Sequence, residues 1–261
     1  MSKEKERMSI FSENINIREV WAENFEEELL KIRGIGQSFP YIGLDTKFPG
    51  FVMTLSTQDW TKAENNYLPL RDNVNLLKLI QLGLTFFDED GNLPTCGTDH
   101  YCVWQFNFRD FNPRMDLHAA KSIEFLRVNG IDFQKYNEKG IDAGDFRDRF
   151  MSSGVLSDKN QRWVTFQGAY DFGYLLRILS GKKIPETLQE FNEECNKFFP
   201  VIYGTRHVTK YSFEMNKNKV AEDLGVIRFG NNQQAGSDSL LTSRIFMKFK
   251  ESGVLYGLVD G

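Results

Sequence analysis

At 261 residues and 41% hydrophobic composition, the chain is long enough for one sizeable core, and one domain is favoured over two small ones. The formal net charge of −4 argues against a protein that holds nucleic acid by bulk electrostatics, although a local basic groove or a bound metal stays open. The sequence shows neither a membrane-spanning apolar run nor a secretory signal, so we expect no membrane contact and a cytoplasmic and nuclear location.

The N-terminal segment, residues 1–15, is polar, and we expect a mobile tail ahead of a domain at residues 16–261. Residues 17–21 lead into a helical pattern that runs to Ile32. Segments rich in β-branched and aromatic residues then predict strands, at residues 41–48, 51–55, 76–87 and 101–108.

Predicted helices and strands alternate in the second half of the chain. Helices are expected near residues 119–126 and 146–151, and at 186–198, 219–224 and 237–250. A strand at residues 163–166 is expected to run into another helix that ends at residue 179, and a further strand is expected at 201–203. Antiparallel strands first and alternating elements later predict an α/β fold with a mixed sheet flanked by helices.

Three aspartates lie in strongly apolar surroundings. Asp45 ends one apolar run, Asp171 follows another, and Asp238 opens the last amphipathic helix. A lone buried carboxylate costs several kcal/mol, and a shared divalent cation is one arrangement that makes three of them tolerable together. The pattern therefore favours a metal-dependent phosphoryl-transfer site. An alternative is that Asp171 and Asp238 cap their helices or occupy first turns that the helix dipole stabilises.

Lys47 does not suit a cation site. Residues i and i+2 of a strand face the same way, so Lys47 is expected to point its ammonium into the space in front of Asp45. One alternative is that the long side chain swings outward or occupies a vacated cation position.

Seven motifs occur in order over nearly the whole chain, at residues 17–21, 45–50, 80–86, 104–108, 170–175, 199–203 and 234–242. Together they resemble the Caf/Pop-type deadenylases, which are nuclease subunits of the CCR/NOT complex. Residues 92–99 further resemble the plant members.

The resemblance implies a ribonuclease H-like fold of the DEDD exonuclease superfamily and removal of nucleotides from the 3′ end of poly(A) RNA. In that mechanism two divalent cations, Mg²⁺ or Mn²⁺, stabilise the attacking and leaving oxygens. Asp45, Asp171 and Asp238 match three of the four metal-holding acids, which the family uses in catalysis. Lys47 stands where the family has the fourth acid, a glutamate, and Gln233 stands where it has a histidine that helps to deprotonate water.

Two further family positions depart from the pattern. The chain has Gln167 where the family has a histidine, and Gly204 where it has an acid. The departures lie at positions that the family uses in catalysis, while the motifs that pack the core are retained. Phe48 and Tyr170 are candidates for stacking on adenines, although core packing is an alternative.

Two functions follow as hypotheses. The first is a poly(A)-specific 3′ exoribonuclease, impaired at Lys47 and Gln233. The second is a noncatalytic subunit that keeps the fold in order to dock onto the NOT scaffold and the CCR nuclease, as a scaffold or a competitor of active paralogues.

Overall fold

The computed structural model describes residues 14–54, 63–166, 168–204 and 216–252, and a six-stranded mixed sheet lies at its centre. The spatial order of the strands is β1-β4-β3-β2-β5-β6. Strand β3 runs antiparallel to β2 and β4, and the other neighbours are parallel. The strands are β1 (Ile15–Val20), β2 (Tyr41–Lys47), β3 (Gln81–Phe87), β4 (Tyr101–Asn107), β5 (Arg162–Thr165) and β6 (Val201–Gly204).

Nine α-helices flank this sheet within the described residues. They are α1 (Phe25–Ile35), α2 (Ala63–Leu76), α3 (Ala120–Val128), α4 (Phe133–Lys139), α5 (Ala143–Ser152), α6 (Ala169–Ser180), α7 (Leu188–Phe198), α8 (Lys217–Asp223) and α9 (Ala235–Glu251). Polar side chains fix several helix starts: Asp132 and Asp142 cap α4 and α5, and Thr187 forms a capping box with Glu190 at the start of α7.

The two faces of the sheet pack against different helices. Alternate residues of β2 point to opposite faces. Ile42 and Leu44 join the main core, which the sheet forms with α1, α2, α5, α6 and α7. Tyr41 instead packs in a second cluster with Phe246 of α9. Asp45 shares the parity of Tyr41 and therefore faces α9.

Helix α9 lies unusually close to the sheet. A Cβ atom placed on Gly83 of β3 would lie 1.9 Å from the carbonyl oxygen of Ala235, and one on Gly43 of β2 would lie 1.9 Å from Ser243 Oγ. Only glycine allows this approach, so the two glycines set how near α9 comes to the ends of the strands.

The predicted α/β class with a mixed, helix-flanked sheet is confirmed, as is the antiparallel arrangement of β2, β3 and β4. Strand β1 begins at Ile15, one residue before the predicted domain boundary, and residues 1–13 lie outside the described part. No helix in the described part of the chain has the length and apolarity needed to cross a membrane.

The helical pattern predicted to run to Ile32 is confirmed by α1, and residues 17–20 ahead of it form part of strand β1, which pairs with β4. Other element predictions are wrong. Residues 51–54 are not a strand, because the backbone N–H groups of Val52 and Met53 donate to the buried side chain of Asn73 and not to a neighbouring strand. The predicted strand at 76–87 starts only at Gln81, and α2 and α4 were not predicted.

Candidate active site

Asp45 and Lys47 lie at the end of β2, on the face of the sheet that α9 covers. Their side chains point the same way, as the i, i+2 spacing predicted. Lys47 Nζ donates to Asp45 Oδ2 at 2.5 Å. Both residues are under a tenth exposed, at 8% and 7%. The structure thus places an ammonium directly against the first candidate carboxylate, largely shielded from water.

Asp238 reaches the same ammonium from the first turn of α9. Its Oδ2 lies 2.5 Å from Lys47 Nζ, so one lysine bridges carboxylates from two elements. Its Oδ1 lies 2.6 Å from Arg228 Nη1 in an ion pair. Asn218 Oδ1 accepts hydrogen bonds from Arg228 Nε and Nη2 at 3.1 and 2.6 Å and fixes the guanidinium.

Asp171 lies in the first turn of α6 and bonds to the neighbouring strands. Because β2 pairs with β5 only as far as Gly43, the N–H of Thr46 is left for Asp171 Oδ1, to which it donates at 3.0 Å. Thr46 Oγ1 donates to the same oxygen at 2.6 Å, and Thr165 Oγ1 donates to Oδ2 at 2.8 Å.

The helix-capping alternative is only partly met. Among the described residues no side chain caps the start of α6 or α9, so Asp171 and Asp238 do not cap their own helices. Both do lie in first turns, where the helix dipole favours a negative charge.

A second lysine, Lys217, lies at the site and was not identified from the sequence. It opens α8, and its Nζ contacts Asp45 Oδ1, the carboxylate oxygen that Lys47 does not occupy. The same ammonium lies 3.3 Å from the backbone oxygen of Asp238 and 5.8 Å from the ring centroid of Phe166. Its side chain is 14% exposed. Asp45 therefore lies between two ammonium groups, one on each oxygen.

All six oxygens of the three aspartates face a donor or a cation. Asp45 and Asp238 face Lys47, Lys217 and Arg228, and Asp171 accepts from two threonines. Hard divalent cations need carboxylate oxygens at about 2.0–2.6 Å, a range the Lys47 ammonium already occupies. Across residues 14–54, 63–166, 168–204 and 216–252, no three Asp, Glu, His or Cys side chains gather closely enough to hold a metal ion. This donor set does not fit a divalent cation.

Neighbouring groups shift the pKa values of three side chains of the site. Burial opposes the charged form of Lys47, but Asp45 and Asp238 outweigh it and raise the pKa of Lys47. Burial likewise opposes the Asp238 carboxylate, but Lys47, Lys217 and Arg228 hold its pKa well below the ordinary value. Burial and the nearby Asp45 charge raise the pKa of Asp171 to about 6. Asp238 is thus a firmly ionised partner of the cations.

Gln233 lies in the turn before α9 with a positive φ of 63°. It is partly buried, and among the described residues it makes no hydrogen bond with the three aspartates. An amide does not titrate near neutral pH, so Gln233 offers no general base at this position. Gln167, the other glutamine at a family histidine position, lies outside the described residues.

Phe48 and Tyr170 belong to an aromatic cluster beside the aspartates. Their rings stack at a centroid distance of 5.5 Å, and Phe48 also stacks on Tyr174 at 4.7 Å. Both candidate rings pack partly against the main core, which fits the core-packing alternative. Phe51, which the sequence pattern did not single out, packs edge-on against both and is 51% exposed.

Comparison with protein families gives one consistent result. The model of the CAF1 family ribonucleases matches residues 20–154 and 145–228. The probable CCR4-associated factor 1 homolog 7 of Arabidopsis thaliana is 50% identical over 96% of this chain and 97% of its own length. The poly(A) ribonuclease pop2 of Schizosaccharomyces pombe is 38% identical over 90% of this chain and 69% of its own length.

Solved structures agree with the sequence relatives. The Mg²⁺- and Mn²⁺-bound form of S. pombe Pop2p superposes with a TM-score of 0.83 at 37% identity, covering 90% of this chain and 92% of that one. CAF1 co-crystallised with the yeast NOT1 MIF4G domain gives 0.76 at 28% identity, over 95% and 94%. Exonuclease I shares the fold alone, with a TM-score of 0.53 at 12% identity over 81% and 40% of the two chains.

Proposed function

The chain belongs to the CAF1 family of ribonucleases, and from that premise we propose that it serves in shortening mRNA poly(A) tails as a subunit with strongly reduced nuclease activity. The observation that carries the second half of this proposal is the position of Lys47. Its ammonium lies 2.5 Å from both Asp45 Oδ2 and Asp238 Oδ2, where the metal-dependent reaction of the family needs a cation.

The expected loss of rate has two physical sources. The exchange of a glutamate for Lys47 changes the local charge by two units, and each unit is worth on the order of 4 kcal/mol at 4 Å and an effective dielectric constant near 20. The loss of a titrating group at Gln233 costs a further factor of about 10² to 10⁴ in rate. A Mg²⁺- or Mn²⁺-dependent exoribonuclease of ordinary speed is therefore not expected from this site.

Docking within a CCR/NOT assembly is the function that the retained fold supports. The CAF1 that was co-crystallised with the yeast NOT1 MIF4G domain is similar over 95% of this chain and 94% of its own length. We propose that the chain binds the NOT scaffold, and with it the CCR nuclease, in the cytoplasm and nucleus. Contact with poly(A) RNA through Phe48 and Tyr170, and with them the exposed Phe51, is part of the same proposal.

The second candidate is a metal-dependent exoribonuclease that Lys47 and Gln233 slow but that still works through its three aspartates. Asp45, Asp171 and Asp238 are all retained, and Asp171 lies close enough to Asp45 for the Asp45 charge to raise the pKa of Asp171. Those three carboxylates are the part of a metal site that this sequence keeps.

A direct test measures the shortening of a labelled oligo(A)-tailed RNA by the purified chain in Mg²⁺ or Mn²⁺, with S. pombe pop2 assayed in parallel. We expect a rate at least about 10²-fold lower than that of pop2. Any residual signal should be unchanged in Asp45→Ala. Shortening within tenfold of pop2 that Asp45→Ala abolishes would favour the exoribonuclease instead.

The docking half of the proposal has its own test. Calorimetric titration of the chain with a NOT1 MIF4G domain should give a saturable one-to-one complex, and the Lys47→Met variant should bind with the same affinity. A folded chain that gives no heat of binding and does not co-elute with the domain would overturn the scaffold role.

A further inference from the structure

We propose that Lys47 and Lys217 together act as built-in counter-ions of the aspartate cluster, so that both must be removed before this centre binds a divalent metal. The inference deepens the proposed function and rests on its premise that Asp45, Asp171 and Asp238 are the acid cluster of the family. It concerns Lys217 above all, because no sequence motif marks that residue.

The first step of the argument is the distribution of the two ammonium groups. Lys47 Nζ occupies Asp45 Oδ2 and Asp238 Oδ2, each at 2.5 Å. Lys217 Nζ occupies the opposite oxygen of Asp45 and reaches the backbone oxygen of Asp238 at 3.3 Å. Asp45 therefore places one oxygen on each lysine.

The second step is the charge balance. Lys47, Lys217 and Arg228 pair with the carboxylates of Asp45 and Asp238, so side chains alone compensate these two negative charges. Lys47 and Lys217 are largely buried, with side chains 10% and 14% exposed, so little solvent screens them. A divalent cation entering this centre meets two ammonium groups at close range, and repulsion from each lowers its affinity by at least about 10³-fold.

The third step is that the two lysines come from different elements of the fold. Lys47 ends β2, and Lys217 opens α8 behind the N-cap Asn216. Exchanging Lys47 for the family's glutamate leaves the Lys217 ammonium on Asp45 Oδ1. A single reversion at residue 47 therefore restores the acid but not the cation-binding position, and Lys217 is the residue that decides whether the reversion works.

The test is Mn²⁺ binding, followed by electron paramagnetic resonance of the free ion, on four full-length proteins: the natural chain, Lys47→Glu, Lys217→Leu, and the double variant. We expect no binding at millimolar Mn²⁺ by the natural chain or either single variant, and at least about 10²-fold tighter binding by the double variant. The matched control is Lys47→Glu with Lys219→Met, because Lys219 lies on the same helix with its side chain 51% exposed. This control should behave as Lys47→Glu does.

Thermal unfolding gives a second readout of metal binding. The melting temperature of the natural chain should be the same in Mn²⁺, in Mg²⁺ and in EDTA, whereas that of the double variant should rise by several degrees with Mn²⁺, since a ligand of the folded state stabilises it. A melting temperature of the natural chain that rises with Mn²⁺ but not in Asp45→Ala overturns the inference. So does Lys47→Glu binding Mn²⁺ as tightly as the double variant.

The two proposals fail in different ways. A natural chain that binds Mn²⁺ but does not shorten RNA overturns the proposal that the two lysines exclude metal, and it leaves the proposal of reduced nuclease activity standing. A natural chain that shortens RNA rapidly while binding no Mn²⁺ overturns the proposal of reduced nuclease activity and leaves the proposal that the two lysines exclude metal.

Discussion

Lys47 is a buried cation whose carboxylate partners come from β2 and α9. Removing one member of a buried ion pair leaves the others uncompensated, which costs far more than the net contribution of the pair. Lys47, which we propose keeps a metal out of the site, is therefore also expected to stabilise the fold.

Lys47→Met tests this role. The variant keeps the side chain's length and removes its charge, leaving Asp45 and Asp238 without the ammonium they share. We expect a loss of about 3–5 kcal/mol in the free energy of unfolding at neutral pH, measured by urea denaturation. Lys197→Met is the control, because the Lys197 side chain is 63% exposed and its pairing with Glu194 contributes about 0–1 kcal/mol. Equal stability of the two variants would contradict this account.

Helix α1 is tied to the sheet through one buried acid, Glu28. Arg18 of β1 donates to both its oxygens at 2.5 Å, Lys31 at 2.8 Å, and the indole of Trp104 in β4 at 3.0 Å. Burial disfavours the carboxylate, but the donors outweigh it and hold the pKa of Glu28 below its ordinary value of 4.5.

The sign of the pH dependence follows from that depressed pKa. Glu28 contributes its stabilisation above pH 4.5 and loses it as the pH falls through the lower pKa of the folded state. We expect Glu28→Gln to lower the free energy of unfolding by about 1.5–3 kcal/mol at pH 7. The difference in the free energy of unfolding between the natural chain and this variant should become smaller below pH 4.5. Urea denaturation of both proteins at a series of pH values from 7 to 3 measures this difference.

The neighbouring acid provides the control for that series. Glu27 also pairs with Lys31 but its side chain is 70% exposed, so Glu27→Gln should cost less than about 1 kcal/mol at any of these pH values. A gap for Glu28→Gln that stays constant with pH would show that its loss is one of packing and not of charge.

The position of α9 depends on Gly83. A methyl group there would lie 1.9 Å from the Ala235 carbonyl oxygen and 2.8 Å from the Gly236 nitrogen, both backbone atoms that cannot rotate away. We expect Gly83→Ala to destabilise the protein by about 3 kcal/mol or more, measured by thermal unfolding. Gly34→Ala is the control, because a Cβ atom added at that helical position would meet no atom of the described residues within 4 Å, and alanine there should stabilise by about 0.5–1 kcal/mol. A neutral Gly83→Ala would show that α9 can move off the sheet at little cost.

At the scale of the whole molecule, the sequence predicted what local patterns encode. The strands β2 and β4 and the helices from α5 to α9 follow from apolar periodicity, and the placement of Lys47 beside Asp45 follows from the pleat of one strand. Helix α2 was missed because it contains Pro69 and little apolar periodicity.

The cation arrangement could not be predicted for a different reason. Lys217 meets Asp45 across 172 residues of sequence, and the contact exists only because α8 packs beside α9 at the end of β2. No spacing rule links two such positions. Arg228 was missed for another reason, since it reaches Asp238 from a segment outside any helix or strand. Sequence alone identified the acids and one lysine, and the fold supplies the other two cations.

The most direct test of the central claim, that lysines have replaced the cations of a CAF1 nuclease site, is gain of function. The measurement is Mn²⁺-dependent shortening of an oligo(A)-tailed RNA by the natural chain and by the triple variant Lys47→Glu, Lys217→Leu, Gln233→His. We predict at least about 10²-fold faster shortening by the triple variant, with most of that gain lost when Lys217 is retained. A natural chain that already shortens the RNA as fast as the triple variant, in a manner abolished by Asp45→Ala, would contradict the claim.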